Sequence, residues 1–139
     1  MKIDLTTDFG KRVERRLREE TIVWLTTVRR DGTPQPTPVW FLWDNGTVLM
    51  YSQPNQQKEQ NIAHSAKVSL NFDGDGHGGN IIVLTGEAQI VANAPPATDV
   101  AAYVEKYAEP IKRIGRDAAS FAAAYSVAIR ITPTDMHGH

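Results

Sequence analysis

Thr21-Ile22-Val23-Trp24-Leu25-Thr26-Thr27-Val28-Arg29-Arg30-Asp31-Gly32-Thr33-Pro34-Gln35-Pro36-Thr37-Pro38-Val39-Trp40-Phe41-Leu42-Trp43-Asp44-Asn45-Gly46-Thr47-Val48-Leu49-Met50-Tyr51-Ser52 is the stretch that decides the fold. β-Branched and aromatic residues fill positions 21–28, 33–43 and 47–52, the composition of strands. Between them stand Asp31-Gly32 and Asn45-Gly46, dipeptides that accept positive φ at both central positions of a two-residue hairpin. The stretch therefore reads as a three-strand antiparallel meander.

Its middle strand is unusual. Pro34, Pro36 and Pro38 share one parity, so successive amides are missing along one side. Such a strand cannot carry a ladder on that side and belongs at a sheet edge. Directly after it runs Val39-Trp40-Phe41-Leu42-Trp43, apolar and aromatic. Two readings stay open: an edge guarded by prolines that runs into the core, or a split in a barrel where a flat ring lies along the backbone. Alternation puts Trp40 and Trp43 on other faces than their neighbours and leaves open which of them would face such a ring.

Upstream, Thr7 or Asp8 caps a helix whose apolar stripe is Phe9, Val13 and Leu17. Lys11, Arg12, Arg15, Arg16 and Arg18 cover its other faces, balanced by Glu14, Glu19 and Glu20, the pattern of a solvated surface. Downstream, Ser52-Gln53-Pro54 predicts a helix start, with Ser52 as cap and Ile62 facing inward, ending near residue 64. Strands are expected at 67–73, 80–91 and 125–132. Val100, Tyr103, Val104 and Tyr107 predict an amphipathic helix capped by Thr98 or Asp99 and interrupted at Glu109-Pro110; residues 117–124 form another. Six antiparallel strands with peripheral helices make a mainly β, barrel-like single domain over residues 1–139, and the lack of βαβ units excludes a Rossmann or TIM architecture.

The start of the second helix is where chemistry concentrates. Exposed amides and the helix dipole favour an anion there; Gln56, Gln57 and Lys58 place two amides and one ammonium in its first turns, and Lys58 suits a phosphate, with Gln57 and Asn61 as further donors. Other candidates fail. Asp73-Gly74-Asp75-Gly76 begins like a calcium loop, but Leu84 occupies the position that needs a bidentate Glu. Residues 74–79 lack the Gly-Lys-Ser/Thr of a P-loop and read as a flexible hairpin or lid. His64, His77, His137 and His139 show no metal-ligand spacing, and no nucleophile triad emerges. The absence of cysteine excludes disulfides and thiolate chemistry. A net charge of −1 gives no drive toward nucleic acid, and no apolar run approaches the ~20 residues of a membrane span. The N-terminal Met1-Lys2-Ile3-Asp4-Leu5 lacks an apolar signal region, so a cytoplasmic protein is expected.

Thr27-Val28-Arg29-Arg30-Asp31-Gly32-Thr33-Pro34, Pro38-Val39-Trp40-Phe41, Gln57-Lys58-Glu59-Gln60-Asn61-Ile62 and Ala66-Lys67-Val68-Ser69-Leu70 resemble successive blocks of the pyridoxamine 5'-phosphate oxidase-like class, in particular its small F420-dependent branch. Thr85-Gly86-Glu87-Ala88 and the ending Arg130-Ile131-Thr132-Pro133-Thr134 also fit, so the resemblance spans nearly the whole chain. It implies a split β-barrel homodimer with two cofactor sites at the subunit interface. It implies that Pro38, Val39, Trp40 and Phe41 lie along a flavin or deazaflavin ring, and that Tyr51, Ser52, Gln57, Lys58 and Asn61 hold the phosphate and ribityl chain. Flavin oxidases of the class usually carry an Arg before the Lys, where this chain has Gln57. One Lys with amide donors suits the singly charged phosphodiester of F420 better than the doubly charged phosphate of FMN. The implied activity is hydride transfer between F420 and an electron-poor small molecule, with no catalytic side chain named. Arg29, Arg30 or the basic first helix would meet the polyglutamate tail. An FMN-dependent oxidase or reductase on the same fold, a non-catalytic cofactor-binding protein and a barrel without ligand remain as alternatives.

Overall fold

The fold is that of a computed structural model describing residues 3–139; Met1 and Lys2, part of the N-terminal stretch read above, lie outside the described residues. The chain runs α1 (Asp8–Glu19), β1 (Val23–Val28), β2 (Pro34–Val39), β3 (Leu42–Asp44), β4 (Thr47–Ser52), α2 (Gln57–His64), β5 (Lys67–Asn71), β6 (Ile82–Val91), a 3₁₀ turn (Ala97–Asp99), α3 (Ala101–Arg113), α4 (Ala118–Ala124) and β7 (Val127–Gly138). Every strand pair is antiparallel, and the seven strands form one sheet in the order β2-β1-β5-β6-β7-β4-β3. The architecture is the mainly β, split-barrel type expected, with seven strands where six were counted.

The extra strand comes from the stretch that opened the sequence reading. Residues 33–43 do not form one strand: β2 stops at Val39 and β3 begins at Leu42. The meander is therefore corrected. β2 pairs only with β1, whereas β3 and β4 form a hairpin on the opposite edge of the sheet. Laid flat, six inter-strand gaps of ~4.8 Å would separate those edges by ~29 Å. The chain from Val39 to Leu42 can span only ~11 Å. The sheet must curl until its two edges nearly meet, and Trp40-Phe41 bridges the split.

The two turns differ as well. Asn45 (φ 50°) and Gly46 (φ 77°) make the two-residue hairpin expected. At Asp31-Gly32 only Gly32 has positive φ (87°), the Gly32 amide donates to the Arg29 carbonyl (2.9 Å), and the Arg29 amide donates to that of Thr33 (2.9 Å). This is a three-residue loop built on a type I turn with a glycine bulge. In β2 the prolines alternate with Gln35, Thr37 and Val39, whose amides are left to carry the ladder to β1.

The barrel interior holds one apolar cluster, including Leu25, Phe41, Met50, Leu70, Ile82 and Ile129, closed at one end by Val13 and Leu17 of α1. Thr7 caps α1 by accepting from the Gly10 amide (2.9 Å), and Arg12 and Arg16 turn inward over the rings of Phe9 and Phe72. A second cluster lies outside the barrel wall, where Tyr103, Tyr107 and Ile111 of α3 and Phe121 of α4 cover Leu49, Tyr51 and Ala128. α3 begins at Ala101 with Val100 as its cap position, not Thr98 or Asp99, and it continues through Pro110. The buried four-residue spacing of Tyr103, Tyr107 and Ile111 keeps the helix intact across the lost hydrogen bond. α4 carries the Asp117–Ser120 capping box. Residues 74–79 form a turn in which Asp75 accepts from the His77 (2.7 Å) and Gly79 (2.9 Å) amides. No helix among the described residues is long and apolar enough to cross a membrane.

Candidate cofactor site

The bridge across the split organises the site. Phe41 turns into the barrel, fully buried beside Phe72, while Trp40 turns outward and stacks on Tyr107 (4.8 Å, 11°) and Phe121 (5.5 Å, 17°). The Phe41 backbone has no strand partner and is satisfied by α3 instead. Its amide donates to the Tyr107 hydroxyl (2.7 Å), and its carbonyl accepts from the Lys106 ammonium (2.8 Å). That ammonium also lies 3.8 Å from the centre of the Phe41 ring. Burial pushes the Lys106 pKa down to about 8, with Glu20 opposing.

Beside the bridge lies a cavity of about 280 Å³. Pro38, Val39 and Trp40 form one wall, Met50, Tyr51 and Ser52 of β4 another, and Tyr103, Ile114, Phe121 and Tyr125 the helical side. Gln53, Gln56 and Lys58 supply its polar rim. The helical wall is largely aromatic: Phe121 stacks on Tyr125 (4.4 Å, 14°), and Tyr103 meets Tyr51 edge-on (5.0 Å, 85°). Among the described residues the half-buried Lys58 makes no ion pair and no hydrogen bond. Burial lowers its pKa, and the neighbouring Glu59 pulls it back up. A desolvated cation without a partner next to a flat apolar wall is what an anion carrying an aromatic ring would neutralise. The residues present thus fit the charge of a flavin-type nucleotide and offer a flat wall for part of it.

Of the residues singled out in the sequence, Pro38, Val39, Trp40, Tyr51, Ser52 and Lys58 come together on this cavity, and Phe41, Gln57 and Asn61 do not line it. Trp43 does not line it either and packs on the barrel cluster. The helix cap is corrected: α2 starts at Gln57 after a turn through Asn55 (φ 64°), and Gln56 is its cap position without a side-chain bond. Ser52, still in β4, donates instead to Glu59 (2.8 Å), and the Tyr51 hydroxyl donates to the Pro95 carbonyl (2.9 Å). Asn61 is 2% exposed; its amide nitrogen donates to Thr27 Oγ1 (2.9 Å) and Gln35 Oε1 (3.0 Å), and its oxygen accepts from Gln57 Nε2 (2.8 Å). It pins α2 to β1 and β2 and so aims Lys58. Gln56, read from the sequence as an amide beside Lys58, does line the cavity, whereas sequence reasoning missed Gln53 and the helical wall. The four-residue spacing of Phe121 and Tyr125 was the signal for the latter.

No curated protein matches this chain. Among solved structures, one named F420 reductase superposes with a TM-score of 0.71 at 25% identity, covering 89% of this chain and 94% of that one. A conserved hypothetical protein from Mycobacterium tuberculosis gives 0.70 at 20% identity, covering 91% and 81%. HutZ, described as a heme storage protein from Vibrio cholerae, gives 0.64 at 12% identity, covering 99% and 95%. The last two speak to the fold alone. The family model described as pyridoxamine 5'-phosphate oxidase matches residues 9–139, in agreement with the split barrel: the chain belongs to the pyridoxamine 5'-phosphate oxidase family.

Proposed function

We propose that this protein is an F420-dependent oxidoreductase that takes an electron-poor small molecule as acceptor. The observation that carries the reading is Lys58: a half-buried ammonium, without a partner among the described residues, on the rim of an aromatic-walled cavity. One cation, preceded by the neutral Gln57, matches one phosphodiester charge better than the two charges of a phosphate monoester. The name of the F420 reductase relative supports the same choice. When bound, reduced F420 supplies a hydride for an acceptor such as a conjugated C=C bond. The chain's own part is to neutralise the phosphate through Lys58, hold the ring against Val39 and Trp40, and exclude water with Phe121 and Tyr125. The proton comes from solvent or a nearby group, and no side chain is assigned that role.

The reading includes a homodimer. A cavity of about 280 Å³ falls just under the ~300–1,000 Å³ of small-molecule sites, so one chain encloses only part of a nucleotide. Pro38 belongs to the cavity wall and also pairs with Trp24, placing both on the outer face of the sheet. A second copy seated on that face would reach the cavity. The reading also includes a cytoplasmic location.

The test is a fluorescence titration of wild type and Lys58→Ala with F420 and, separately, FMN. Tighter binding of F420, weakened about tenfold or more in Lys58→Ala, supports the proposal. Preference for FMN moves the protein to the flavin oxidases of the family. F420 binding with no turnover over a broad acceptor panel makes it a carrier.

A further inference from the structure

Three tyrosines meet behind the cavity wall, and their hydroxyls are treated differently. That of Tyr51 donates to the Pro95 carbonyl (2.9 Å), and that of Tyr107 bonds to the backbone of Phe41 and Thr21. The Tyr103 hydroxyl is buried and has no partner among the described residues. Its ring packs against Tyr51, Tyr107 and Phe121, contacts that phenylalanine would make equally well. A buried hydroxyl without a bond destabilises the fold and asks for a reason. Tyr103 borders the cavity, and so does the exposed Ile114 at the end of α3.

We propose that the Tyr103 hydroxyl is a donor held in reserve for the cavity's occupant, bonding a carbonyl-type oxygen of the flat ring bound there. The inference rests on the cavity reading above and adds to it the residue that fixes the ring's orientation. The hydroxyl is sealed from solvent in the free protein, so its bond forms only when a ligand in the cavity that Tyr103 borders gains access to it. Burial holds the phenol well above its ordinary pKa, so it keeps its proton and can only gain from an acceptor. The free protein is thus less stable than it could be, and the ligand recovers the difference. A group that acts this way is a positioning residue: it improves binding at the expense of the unliganded fold.

Tyr103→Phe separates this from a packing role. Melting of the ligand-free protein and fluorescence titration with F420 and FMN are measured on wild type, Tyr103→Phe and Tyr107→Phe. The expected result is a Tyr103→Phe protein that melts at or above wild type yet binds about tenfold more weakly, since it lacks one ligand hydrogen bond. Tyr107→Phe, whose hydroxyl is partnered, melts lower and serves as the reference. A lower melting temperature for Tyr103→Phe overturns the inference, because the hydroxyl then has a partner, such as an internal water, before any ligand arrives. Unchanged affinity beside normal wild-type binding overturns it too. If wild type binds neither F420 nor FMN, the cavity reading fails and takes this inference with it.

Discussion

Tyr107 closes both backbone groups of Phe41, its hydroxyl lying 2.7 Å from the amide nitrogen and 2.9 Å from the carbonyl oxygen of that one residue. A helix side chain here takes the place of the missing strand at the seam of the barrel. Tyr107→Phe leaves the Phe41 amide buried without an acceptor, which costs about 1–3 kcal/mol. The urea midpoint is expected to fall with an unchanged slope. A midpoint equal to wild type would mean that the Trp40 stack and Lys106 hold the bridge without the Tyr107 hydroxyl.

Lys106 gives the fold a pH dependence of definite sign. Its folded pKa of about 8 lies below the ordinary 10.5, so between those values the unfolded chain binds more protons than the folded one. The cost of burying the charge is therefore fully present below about 8 and disappears as pH rises toward 10.5. Measured against Lys106→Met, the wild-type urea midpoint should gain steadily from pH 7.5 to about 9.5. Tyrosine ionisation is shared by both proteins and drops out of the difference. A declining difference would show that the ammonium is held chiefly by the Phe41 carbonyl and ring.

Gln57 and Asn61 share one hydrogen bond but predict opposite outcomes. Asn61→Ala strips partners from Thr27, which is wholly buried, and from Gln35, at about 1–3 kcal/mol. Gln57→Ala removes an exposed side chain and is expected to stay within about 0.5 kcal/mol. Cofactor affinity should fall in Asn61→Ala as well, because α2 then no longer aims Lys58. Equal stabilities for the two variants would count against the pinning of α2 to β1 and β2.

Local chemistry made much of this molecule legible. Asn45-Gly46 announced its hairpin, the stripe Phe9, Val13 and Leu17 announced α1, and the prolines of β2 announced an edge. What failed was whatever depended on distant partners. Nothing in residues 33–43 says that the strand breaks at Trp40, because the cause is a hydroxyl 66 positions away on α3. The continuation of α3 through Pro110 is likewise decided by burial of Tyr103, Tyr107 and Ile111 against the barrel wall. At the cavity, the place of Lys58 on the rim was readable from charge and helix position. The role of Asn61 was not, since an amide looks the same in sequence whether it awaits a ligand or is already saturated by Thr27 and Gln35.

The bridge at Trp40-Phe41 has one more consequence. All six strand pairings would survive a circular permutation that cut the chain there, yet the ring would open, because covalent continuity and not a ladder joins β2 to β3. The width of the gap is set by the length of a two-residue tether that also supplies a cavity wall. Inserting or deleting a single residue at that point would resize the cavity while leaving the register of every strand pair as it is, so the fit of a ligand can change there without any change to the sheet.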